Sequence, residues 1–110
     1  SSDVRAMALR GLYKLHAAPP RELWDSLSGS PDSVVRRFFC LALQASGDAA
    51  ACEFLCRLLA DRDFLVRHAA YRVLREKKTE ARPFLYARRS QPDTAPAVVR
   101  MLDELLETEQ

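Results

Sequence analysis

Glycine is scarce in this chain of 110 residues: the three copies, Gly11, Gly29 and Gly47, lie far apart, so no glycine-rich loop that could cradle a phosphate is present. Histidine is scarcer still, and both His16 and His68 are followed by alanine. They stand in separate stretches, which leaves each cysteine without a base beside it in sequence. The cysteines, Cys40, Cys52 and Cys56, are odd in number, and two of them are four residues apart in a helical pattern. That spacing suits neither a disulfide framework nor a zinc knuckle; the thiols read as small core hydrophobes in a reducing, cytoplasmic compartment. The longest apolar run, FFCLAL at residues 38–43, falls well short of the roughly 20 residues that cross a bilayer. The opening Ser-Ser-Asp-Val-Arg has no signal-peptide pattern. Neither a catalytic centre, a metal, a cofactor nor a membrane partner is expected.

Alanine, leucine and arginine are plentiful while β-branched residues are few, a mixture that favours helices over sheets. With 48% hydrophobic and 29% charged residues, the composition is that of a globular domain, and the length allows one continuous core. The formal charge of +2 is too small to demand a polyanionic partner, but it is unevenly spread. Residues 72–89 carry seven basic side chains against two acidic ones, whereas Asp103, Glu104, Glu107 and Glu109 close the chain without a basic residue. Arginines outnumber lysines fourteen to three, a bias that a GC-rich coding sequence also produces and that tempers the basic region.

The dipeptide Val-Arg recurs as Val4-Arg5, Val35-Arg36 and Val66-Arg67, each 31 residues after the last. The same shift aligns Met7, Phe38 and Ala69; Ala8, Phe39 and Ala70; and Leu12, Leu43 and Leu74. Steps of three, one and four residues place these columns on one face of a helix, which makes them candidate core. Gly11, Ala42 and Val73 form an adjacent column of small residues suited to close helix approach. A second helical segment follows each first one, with columns Leu23, Phe54, Leu85 and Trp24, Leu55, Tyr86. Prolines, glycines and Ser, Thr or Asp caps separate the segments. The pattern predicts helices at about 2–16, 20–28, 32–46, 48–60, 63–77, 80–90 and 95–108.

Neither helix of such a pair can bury its apolar face alone, so stacking the pairs builds one core, the logic of an α-solenoid. The motif Asp63-x-x-Val66-Arg67-x-x-Ala70-x-x-x-Leu74, preceded by Leu55-x-x-Leu58-x-x-Asp61, resembles the HEAT-repeat family in its short form, as in phycobilisome-lyase-type repeats. The resemblance implies an all-α superhelix of about three helix pairs, over residues 1–30, 31–61 and 62–92, with a half repeat at 93–110 as a capping helix. Because Val4 already stands in a core column and no initiator Met precedes it, the expectation is a fragment of a longer chain. The resemblance also implies a ladder in which Arg5, Arg36 and Arg67 meet Asp32 and Asp63. Iron-binding deoxyhypusine hydroxylases share this repeat but hold the metal through His-Glu dipeptides, absent here. A HEAT-like DNA glycosylase would need a basic concave face with aromatic and acidic groups around a damaged base; Trp24, Asp25 and the arginines are of the right types, yet Trp24 aligns with Leu55, a core column.

Function is then sought where the repeats disagree. Residues of the second helices outside the core columns change from acidic to basic and aromatic along the chain: Glu22, Glu53, Phe84; Asp25, Cys56, Ala87; Ser26, Arg57, Arg88. On a concave solenoid face these predict a non-catalytic protein-interaction scaffold or adaptor using Glu22, Asp25, Glu53, Arg57, Phe84 and Arg88, although an ordinary solvated face also carries charge. The alternative is a nucleic-acid-binding module contacting phosphates through Arg72, Arg75, Lys77, Lys78, Arg82, Arg88 and Arg89. A structural segment of a larger solenoid is the third reading.

Overall fold

The computed structural model describes residues 1–107, in which seven α-helices follow one another: α1 (Ser2–Lys14), α2 (Trp24–Ser28), α3 (Ser33–Ala42), α4 (Ala50–Leu58), α5 (Phe64–Glu76), α6 (Lys78–Arg89) and α7 (Pro96–Glu107). Single 3₁₀ turns lead into α2 at Arg21–Leu23 and extend α3 at Leu43–Ala45. The predicted Glu109 and the last residue of the predicted final helix lie outside the described residues. Each repeat begins with the same device, an oxygen accepting from the free N–H groups of a helix start. Ser1 accepts from Val4, Asp32 from Val34, and Asp63 from both Leu65 and Val66. These aspartates are therefore caps, not rungs of an arginine ladder.

Helices α1, α3, α5 and α7 lie side by side as one layer, and α2, α4 and α6 form a second. Each second-layer helix rests on the first-layer helix of the following repeat: α2 on α3, α4 on α5, α6 on α7. The arrangement is a small α-solenoid. Between the layers, Val35, Phe39 and Leu43 of the second repeat and Val66, Ala70 and Leu74 of the third are fully buried, as their columns require. Trp24, Phe39 and Phe54 meet edge to face, and the Trp24 indole N–H donates to the Pro19 carbonyl at 2.9 Å. Phe39 stands where its counterparts are alanines because this aromatic cluster fills the space beside the five-residue α2.

Four expectations fail. Val4, Met7 and Ala8 were assigned to core columns but are exposed, Val4 at 64% and Met7 at 74%; α1 packs on α3 through Ala6 and Leu9 instead. The face carrying Val4 and Met7 matches the one that α3 turns to α2 and α5 turns to α4, and none of the described residues covers it. Leu23 and Tyr86 are also exposed: Leu23 lies in the turn before α2, and no described second-layer helix follows α6 to cover Tyr86. At Gly11 an added Cβ would meet no atom, so the small-residue column does not serve close approach there. Finally, α6 starts at Lys78, earlier than the sequence pattern indicates, which puts Pro83 inside the helix rather than in its first turn.

Two of the three Val-Arg arginines, Arg36 and Arg67, bind the turn before their own helix. Arg36 Nη1 donates to the Ser30 carbonyl at 2.7 Å, and Arg67 Nη1 donates to the Asp61 carbonyl at 2.9 Å; these contacts are equivalent under the 31-residue shift. Arg36 also grips the Asp61 carboxylate in a fork, Nε to Oδ2 at 2.8 Å and Nη2 to Oδ1 at 3.1 Å, with side-chain exposures of 3% and 6%. Asp61 Oδ1 accepts in addition from the Asp63 N–H at 2.9 Å. Arg5 is exposed and makes no such fork. Farther along the stack, the buried Lys77 ammonium donates to the Ser46 carbonyl at 2.8 Å, again joining positions 31 residues apart.

Burial pushes the Asp61 carboxyl up, but hydrogen bonds from Arg36 and Asp63 and the arginine's charge outweigh it and hold the group below its ordinary value. A carboxyl depressed on folding stabilises the fold above its unfolded pKa of about 3.9, and that stability is lost as pH falls through the folded value. Asp61→Asn should lower the urea midpoint by an amount equal to about 3–5 kcal/mol and remove this group's share of the acid sensitivity. An Arg36→Met, Asp61→Leu double variant should recover most of that loss; equal destabilisation of both would refute the clamp as an electrostatic device. Two opposite exchanges at α1 should each stabilise by about 0.5–1 kcal/mol in the same assay. Gly11→Ala fills free space in a helix interior, and His16→Gly relieves the φ of 55° at the helix's closing turn, where Ala17 N–H bonds Leu12 and His16 N–H bonds Tyr13.

Candidate functional site

Helices α4 and α6 lie next to each other in the second layer, and their outward residues enclose a groove of about 410 Å³. On α4, Glu53 and Arg57 stand one turn apart with Cys56 between them and deeper. On α6, Pro83, Phe84, Ala87 and Arg88 form the opposite wall, and Gln91 from the following turn closes one end. Four residues predicted from the repeat columns, Glu53, Arg57, Phe84 and Arg88, thus come together. Glu22 and Asp25 do not join them: Glu22 is exposed in the turn before α2 and Asp25 is exposed on α2. Pro83 and Gln91 are not among the predicted residues, since neither falls in the outward repeat columns.

The charges of the groove are not neutralised internally. Glu53 and Arg57 have the four-residue spacing of a helical ion pair, yet Arg57 leans over the Phe54 ring, 4.3 Å from its centroid. Arg88 is half-buried; its Nη1 donates to Gln91 Oε1 at 2.9 Å, while its Nε is shut away from water without an acceptor. A buried donor left unpaired costs about 1–3 kcal/mol. Among the described residues no carboxylate lies within ion-pair distance of Arg57 or Arg88.

The residues considered for nucleic acid are divided among different surroundings. Lys77 is buried against Ser46 and is unavailable to a phosphate. Arg72 faces Glu76 at 3.4 Å and the Tyr13 hydroxyl at 3.5 Å; Arg89 forms an ion pair with Asp103 of α7. Arg75 borders a shallow depression with Tyr71, Glu104 and Glu107. Lys78 and Arg82 lie on α6, and Arg88 belongs to the α4–α6 groove. The acidic run of α7 thus meets part of the basic region directly.

All three cysteines are free and buried in the core. Desolvation raises each thiol above its ordinary value, Cys56 to about 12, so the reactive thiolate is suppressed. No group of three or more His, Cys, Asp or Glu side chains that could hold a metal ion occurs among the described residues, and no described helix is long and apolar enough to cross a membrane. Mass spectrometry after iodoacetamide treatment at about pH 8 should find the folded chain unmodified and the urea-unfolded chain alkylated at all three cysteines. Rapid labelling of Cys56 in the folded chain would show that the groove floor is open.

No curated protein and no solved structure gives a significant match to the chain. The family model for HEAT repeats matches twice, over residues 1–75 and 20–108, and the overlapping matches cover nearly every position. With the two-layer stacking and the recurrent capped helix starts, this places the chain in the HEAT-repeat family.

Proposed function

We propose that the chain is a non-catalytic protein-interaction scaffold or adaptor of the cytoplasm that docks its partner in the α4–α6 groove. HEAT repeats generally serve as protein-interaction scaffolds. The observation that carries the reading is the groove itself: residues at which the repeats differ gather there, over a partly apolar floor, with charges that the chain leaves unpaired. An interaction surface has this composition, since arginine and aromatic side chains supply most binding energy in desolvated pockets. Phosphate contact is less well supported, because Lys77 is buried and Arg72 and Arg89 already face carboxylates.

A photo-reactive residue placed at Gln91 should give discrete protein adducts in extract of the source cells, and the Arg57→Glu, Arg88→Glu double variant should lose them. The same probe at the exposed Arg10 of α1 serves as the control for random collision. Adducts that persist in the double variant, or that match those from position 10, would refute the groove as the docking site. A labelled oligonucleotide should bind negligibly even at low salt, where a phosphate-binding patch would show its greatest affinity.

A further inference from the structure

The groove's unpaired groups specify the chemistry of an occupant. Arg88 Nε has no acceptor, and the guanidinium donates through Nη1 to Gln91. Rotating the guanidinium outward gives up that one hydrogen bond and turns Nε and an Nη group together toward the groove, the fork that matches a carboxylate. Arg57, on the opposite wall, is held over the Phe54 ring, a contact that leaves the N–H edges of the guanidinium available. Phe84 and Pro83 on the α6 wall and the deeper Cys56 of α4 give the groove its apolar lining.

Resting on the reading of this groove as a protein-docking site, we infer that its occupant is a peptide segment presenting a side-chain carboxylate beside an apolar side chain. The carboxylate pairs with Arg88 and Arg57, and the apolar group lies over Phe84 and Pro83. Glu53, exposed on the Arg57 wall, makes the groove two-sided. It repels a second carboxylate at its own end and accepts a peptide N–H there, which fixes the direction in which the segment lies. A basic segment is disfavoured, because two arginines against one glutamate leave the groove positive.

Fluorescence anisotropy with labelled short peptides tests this directly. The probes are built on Glu-Leu-Phe-Glu, Gln-Leu-Phe-Gln and Lys-Leu-Phe-Lys. The glutamate peptide should bind about tenfold or more tightly than the glutamine peptide, the lysine peptide weakest, with the preference shrinking as salt rises. Arg88→Gln and Arg57→Gln should each reduce that preference, and Glu53→Gln should strengthen binding of the glutamate peptide; circular dichroism of each variant checks folding. Equal binding of the glutamate and glutamine peptides, lost in Phe84→Ser, would overturn the carboxylate inference while leaving the docking groove intact. Binding that is absent, or indifferent to Arg57→Gln and Arg88→Gln, would also overturn the inference. The docking reading itself would fall only if the cross-links from Gln91 proved independent of the groove.

Discussion

The carboxylate of Asp61 ties together more of this fold than any other single group. Its side chain is gripped by Arg36 from α3, its Oδ1 also accepts the Asp63 N–H, and its carbonyl accepts Arg67 from α5. The turn between α4 and α5 is therefore held from both neighbouring first-layer helices. Desolvating two charges is expensive, and the pair is tolerable because nearly every donor and acceptor around it is used. The geometry that results fixes where α4 leaves the second layer and where Asp63 can cap α5. The α4 wall of the groove hangs from this turn.

The clamp exists once because the repeat is imperfect. Arg36 finds its carboxylate 25 residues downstream, at Asp61. The same offset from Arg5 reaches Ser30, and from Arg67 it reaches Pro92. Neither can accept an arginine fork, so Arg67 makes its backbone contact and lies over the Phe64 ring without a carboxylate, and Arg5 lies exposed. The repeated element is the turn: Ser30 and Asp61 each receive an arginine at the carbonyl and the N–H of the aspartate two residues on at the side chain. Of these two turns the second carries a charge, Asp61, where α5 lies between α3 and α7.

This explains what was legible from sequence. Periodicity found the helices and the columns Val35/Val66, Phe39/Ala70 and Leu43/Leu74 because a core column needs only apolar residues at helical spacing. It could not show that Val4 and Met7 are open, since their exposure depends on what lies beside α1. The motif drew attention to Asp32 and Asp63 as arginine partners, because both stand three residues before a valine. A cap and an ion-pair partner look alike in sequence; only folding reveals that the carboxylate of Asp63 is turned to its own helix and that of Asp61 to its neighbour's arginine. Glu53, Arg57, Phe84 and Arg88, which line one groove, stood out in sequence because stacking does not constrain positions that vary between repeats. Glu22 and Asp25 obey the same rule, but Glu22 lies in the turn before α2 and Asp25 on the five-residue α2, outside the groove.

The groove and the clamp use arginine in opposite ways. At Arg36 all three guanidinium nitrogens donate to Asp61 or Ser30, so its charge is committed to holding the fold. At Arg57 the partner is an aromatic ring that orients the side chain without consuming its hydrogen-bond donors. Such an arginine has already lost much of the freedom that binding would otherwise remove. Arg88 goes further, with a donor left buried and unpaired although Glu53 shares its groove. A buried N–H without an acceptor costs the fold about 1–3 kcal/mol, so the two arginines differ in sign: Arg36 ties α3 to the α4–α5 turn, whereas the Arg88 Nε stands as a cost that no described residue offsets.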